Sequence, residues 1–177
     1  MQMKTKILIV ILIIGAMGLS GCVQSQTGTL VMQMTDAPAD LNIEKALVTI
    51  SNVEVHLAGA NEDTNATNET GWFAIVKEEK TFDLIKIKDV KELIGTSELK
   101  AGKYNQIRMN VDKALVTIDG NEYDLTIPSK TVKLIKPFDI IEKQTTTLTL
   151  DFDAKESINS QGKDKYVMNP TIKVIQE

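Results

Sequence analysis

The feature that most limits what this chain can become is a period-two alternation of apolar and polar residues. It recurs over short stretches separated by turns. In residues 145–152, Leu148, Leu150 and Phe152 alternate with Thr147, Thr149 and Asp151. Successive side chains of a strand point to opposite faces, so such a run makes a strand with one dry face and one wet face. The same pattern places Leu30, Met32 and Met34 on one face before a break at Asp36-Ala37-Pro38-Ala39-Asp40. Residues 45–57 alternate in two phases, Ala46, Val48, Ile50 and then Val53, Val55, Leu57. A phase slip at Ser51-Asn52 predicts a bulge, or a strand that passes from one sheet to another.

Further strands are predicted at 72–76, 81–87, 104–111, 113–118, 122–127 and 145–152, and around Pro137, where Val132, Leu134, Phe138 and Ile140 continue the pattern. Asp119-Gly120 is a favoured two-residue hairpin turn between two of them. Residues 166–175 close the domain, with Pro170 demoting part of that run to an edge. Residues 89–94 are expected to make one or two helical turns, and the polar stretch 59–71 a surface loop. Many short strands at near-regular spacing predict an all-β fold, an antiparallel β-sandwich with one short helix or helical turn. The hexamer Lys-Ala-Leu-Val-Thr-Ile occurs twice, at Lys45 and Lys113. We read this as two strands converging on one pattern rather than as an internal repeat.

The N-terminus carries a different signal. Lys4 and Lys6 precede an apolar run from Ile7 to Ala16, followed by Leu19-Ser20-Gly21-Cys22. A basic head, a short apolar core and small residues before a cut site describe a secretory leader. The run falls short of the roughly 20 residues that a membrane span needs. Leu19, Ser20, Gly21 and Cys22 fill all four positions of a pattern that resembles the lipobox of prokaryotic lipoproteins. The resemblance implies a diacylglyceryl group on the Cys22 sulfur and cleavage before it. Two acyl chains give stable anchoring where one gives reversible binding. Residues 1–21 are therefore read as a signal peptide, 22–28 as a lipid-anchored spacer and 29–177 as the β-sandwich domain, placed outside the cytoplasmic membrane. Cys22 is the only cysteine, so no intramolecular disulfide can form.

Composition narrows the partners. The leader holds two of the 20 basic residues and none of the 24 acidic ones, so the mature chain of 156 residues carries a net charge of −6. That balance argues against nucleic acid, which needs clustered lysine and arginine. The expected partners are the membrane, through Cys22, and another cell-envelope protein or glycan.

Several segments together resemble the domain of unknown function 4382, a family of prokaryotic surface proteins and lipoproteins. They are Gly28-Thr-Leu with Thr35-Asp36-Ala-Pro-Ala, Val53-Glu-Val-His56, Thr81-Phe-Asp-Leu84, Leu99-Lys-Ala-Gly-Lys-Tyr104, Gln106-Ile-Arg108 and the run from Thr145 to Ala154. The resemblance implies a β-rich extracytoplasmic domain and carries no activity across to particular residues.

Candidate chemistry is sparse. His56, the only histidine, sits on the Glu54 side of its strand, opposite Val53 and Val55, and is expected to be exposed. A catalytic triad needs a base beside a nucleophile, and no catalytic set is expected. Asp36, Asp151 and Asp153, with Asp40 nearby, are oxygen ligands of the kind calcium takes. The competing reading is that Asp36 caps a turn and that Asp151 and Asp153 keep an outer face wet. Asn65 and Asn68 each open a glycosylation sequon in the polar loop. The threonines at 145–149 are read as ordinary strand formers. The chain is thus expected to be a non-enzymatic interaction or surface-assembly module that docks through exposed sheet edges. Its alternative is a lipoprotein that binds a small ligand, calcium or a sugar.

Overall fold

Period-two patterning in strands of unequal length builds a sheet around its longest members. In a computed structural model, which describes residues 26–36, 43–60 and 71–177, the strands are β1 (Thr27–Asp36), β2 (Ile43–Leu57), β3 (Trp72–Val76), β4 (Lys80–Asp83), β5 (Glu92–Lys100) and β6 (Gly102–Ile118). They continue as β7 (Asn121–Thr126), β8 (Thr131–Ile140), β9 (Thr145–Phe152), β10 (Ile158–Ser160), β11 (Tyr166–Met168) and β12 (Ile172–Gln176), with a single turn of helix, α1 (Ala154–Ser157), before β10. The chain is an all-β sandwich. Leu19, Ser20, Gly21 and Cys22 of the lipobox-like pattern, Asp40, Asn65 and Asn68 lie outside the described residues.

The larger, eight-stranded sheet is organised on β2 and β6, which pair antiparallel over their whole lengths. Each carries two short strands in tandem on its outer edge: β4 and β3 along β2, β7 and β8 along β6. The smaller sheet has the order β12-β9-β1-β5. Pairing is antiparallel except between β1 and β9 and between β11 and β7. Leu30, Met32 and Met34 of β1 and Leu148, Leu150 and Phe152 of β9 face Val48, Ile50, Val53, Val55, Ile107, Met109 and Val111 of the larger sheet, all buried in one core.

The predicted slip in β2 is a bulge. Asn52 takes a left-handed backbone (φ 43°), the register shifts between Ser51 and Val53, and both apolar phases thereby face inward. Residues 104–111 and 113–118 are one strand, not two. A second shift, opposite Thr49 and Ile50, lets Met109, Val111, Ala114 and Val116 share the core face. Ile118 pairs with Asn121 across Asp119 (φ 50°) and Gly120 (φ 75°), the expected two-residue turn.

Four local expectations are corrected. The helical turn is not at 89–94: β5 begins at Glu92 and pairs with β1, which would otherwise present an unpaired edge. The helix forms instead at Ala154–Ser157, where the Asp153 side chain accepts the Glu156 N–H at 2.9 Å. The strand at 81–87 ends at Asp83, after which a turn still buries Leu84 and Ile87. The run 166–175 divides at Pro170, its halves joining different sheets as β11 and β12, and only β12 is an edge of the smaller one. Thr149 faces outward but is covered, its hydroxyl donating to Glu177 at 3.0 Å, and Glu177 in turn pairs with Lys91.

Candidate functional site

Alternation on β2 and β6 sends Glu54, His56, Arg108 and Asn110 to the outer face of the eight-stranded sheet. The bulge at Asn52 sets that phase. Across the sheet Ala74, Glu54, Arg108 and Lys133 form one row, and Trp72, His56, Gln106 and Ile135 form the next. The Arg108 guanidinium lies 4.1 Å from the centre of the Trp72 ring and donates to Glu54 Oε2 from Nε at 3.0 Å and Nη2 at 2.6 Å. Stacking on an aromatic face together with a two-pronged carboxylate contact holds an arginine far better than either alone.

His56 packs beside the same indole, with ring centres 4.8 Å apart and planes tilted by 53°. It is buried, contrary to expectation, with 4% of its surface exposed. Trp72 and the Gly71 backbone lie against it. Gly71 takes a left-handed backbone (φ +72°), and a Cβ there would fall 2.4 Å from the Ala60 methyl and 3.1 Å from His56 Nε2. The imidazole Nδ1 lies 3.2 Å from Asn105 Oδ1, which only accepts, so Nδ1 carries the proton. Nε2 has no hydrogen-bond partner among the described residues.

Beside this cluster lies an open groove of about 400 Å³ lined by Asn52, Glu54, Arg108, Asn110, Thr131 and Lys133. Thr131 donates its hydroxyl to Asn110 Oδ1 at 3.1 Å. A second cleft, of about 390 Å³, separates the edges of β3 and β5. Lys80 partly seals it by donating to the carbonyls of Leu93 (3.3 Å) and Ile94 (2.9 Å).

The three aspartates proposed as calcium ligands are not placed to hold a metal ion together. Asp36 turns into the interior, 3% exposed, and accepts the Ala154 N–H at 2.9 Å. Loss of water raises its carboxyl to about 6. Asp153 and Asp151 push in the same direction, while the Ala154 N–H and Lys88 oppose it. Asp153 is spent on capping α1. Among the described residues, no three histidine, cysteine or acidic side chains are placed to hold a metal ion.

The match to the family described as "Domain of unknown function (DUF4382)" spans residues 27–170. The chain belongs to the DUF4382 family. No curated protein and no solved structure matches it. In this DUF4382 domain, segments 53–56 and 106–108, two of those that carry the family resemblance, are register partners and supply Glu54, His56 and Arg108. Sequence reasoning singled out His56 but passed over Glu54, Trp72, Arg108 and Lys133 as a site. The available signal was the phase of β2; the pairing of β2 with β6 leaves no local mark.

Proposed function

We propose that this DUF4382 domain is a lipid-tethered binding module that works outside the cytoplasmic membrane. It would hold another envelope component on the outer face of its larger sheet and perform no chemistry on it. The observation that carries the reading is the fixed Glu54–Arg108–Trp72 cluster beside an open polar groove. Preorganised charged donors on a rigid sheet bind without first paying to be ordered. The imidazole is closed off from solvent, so it is not placed to exchange protons with a ligand.

The tether supports a sideways-facing groove. Ala101 N–H donates to Gln26 O and Lys143 N–H to Thr27 O, both at 2.8 Å, so the start of β1 is clamped at one end of the sandwich. Cys22 precedes Gln26 by four residues, at most about 14 Å of extended chain. Arg108 and Asn110 lie six to eight residues along β6 from Gly102, roughly 20–27 Å further out. Docking on a free edge is less well supported than docking on this face. Glu92, Glu98 and Lys100 put charge along β5, and Lys80 caps two of its carbonyls.

The test is photo-crosslinking on intact cells from a reactive residue at Ile135, which is 73% exposed beside the groove. One reproducible envelope component, lost in Arg108→Glu and retained in Lys86→Glu, is the expected result. Capture that is indifferent to Arg108→Glu contradicts the reading. Cys22→Ser tests the tether separately and should release the chain from the membrane fraction.

A further inference from the structure

The groove's charge and hydrogen-bonding groups define the chemistry of what it would hold, an inference that rests on reading this face as the binding surface. Arg108 and Lys133 are direct partners across β6 and β8, on the same face. Like charges placed directly opposite destabilise an antiparallel pair. Glu54 relieves only part of this, because Arg108 engages its Oε2 with both Nε and Nη2. Lys133 takes part in no ion pair among the described residues. The groove therefore carries an excess positive charge on a mature chain whose net charge is −6.

The remaining lining is polar and uncharged. With Asn110 Oδ1 occupied by the Thr131 hydroxyl, the Asn110 amide hydrogens are left for a ligand, and Asn52 adds a second amide at the bulge. Glu54 Oε1 is outside the Arg108 contact and can accept from a hydroxyl. One face of the Trp72 ring is covered by Arg108, and His56 packs beside the same ring, so stacking on the indole is not how a ligand would be held. A neutral sugar leaves the Arg108–Lys133 repulsion in place, and a bare anion leaves Glu54 Oε1 facing like charge. A negatively charged group beside hydroxyls satisfies both.

We propose that the groove binds an acidic saccharide, its carboxylate or phosphate set against Lys133 and Arg108 and its hydroxyls against Glu54, Asn52 and Asn110. The volume of about 400 Å³ lies within the range of small-ligand sites.

The experiment measures binding to the mature lipidated chain in detergent micelles. The probes are an oligogalacturonate, a neutral oligosaccharide of equal length, a sugar phosphate and inorganic phosphate. The expected result is saturable binding of the oligogalacturonate or the sugar phosphate, whichever source the acid has. Affinity should fall with added salt and drop about tenfold or more in Lys133→Ala and in Arg108→Gln, as for loss of a charge-assisted hydrogen bond. Lys133→Ala should keep or raise the melting temperature because it removes a like-charge pair, which separates lost binding from lost folding. Equal binding of the neutral sugar, equal binding of inorganic phosphate, or affinity unchanged in both variants overturns the proposal. If no probe binds while crosslinking from Ile135 still captures a component in an Arg108-dependent way, the saccharide inference fails and the binding-module reading stands.

Discussion

Asp36 shows what a residue can hide from its own sequence context. Asp36-Ala37-Pro38 reads as a turn with a capping carboxylate, yet the side chain points inward and accepts the N–H of Ala154, 118 residues away. Its carboxyl sits at about 6 against an ordinary 3.8, so the folded state binds the proton more tightly than the unfolded chain does. Below about pH 4 both states are protonated and the burial carries no penalty. As pH rises towards 6 the unfolded carboxyl ionises first, and the fold loses stability, by up to ~3 kcal/mol once both are ionised. Asp36→Asn keeps an acceptor for Ala154 and abolishes the penalty. Its melting temperature should exceed that of the wild type at pH 7.5, with the gap closing by pH 4. A pH-independent difference would rule this explanation out. Neither the burial of Asp36 nor that of His56 was legible, because each depends on a segment that packs over it from elsewhere in the chain.

At the level of elements, what was legible is what is local. The alternation of β9, the slip in β2 and the Asp119-Gly120 turn each follow from a few adjacent residues. The misplaced helical turn shows the limit. Residues 89–94 have no strong strand pattern, and Glu92–Ile94 become the start of β5 because β1 needs a partner along that edge. Pairing also explains Gly28, which lies where β1 passes the turn between β8 and β9. A Cβ there would sit 2.2 Å from Ile141 O and 2.9 Å from Ile140 Cγ2. Gly28→Ala must push backbone apart at the clamp that holds the start of β1, at a cost of about 1–3 kcal/mol by analogy with overpacking. Chemical denaturation should show this loss of stability, and an unchanged midpoint would mean the clamp yields freely.

For the whole molecule, the β-sandwich class followed from strand count and spacing, whereas the order of strands did not. The parallel contact of β1 with β9 and the tandem placement of short strands along β2 and β6 come from long-range pairing that no window of sequence displays. The groove inherits that opacity: Glu54, Arg108 and Lys133 are distant in sequence and become one row only when three strands align. The proposed tether and the proposed binding groove together describe the molecule in its setting, an anchored domain whose outer face is occupied. Acetylation of lysines by a small sulfonated reagent that does not cross the cytoplasmic membrane, compared between intact cells and purified protein, tests it most directly. Lys86, 79% exposed on its side chain at the opposite end of the sandwich from the start of β1, should react equally in both. Lys133 should be protected on cells and reactive in the purified protein. Equal reactivity of Lys133 in both, or no labelling of Lys86 on cells, would contradict the account.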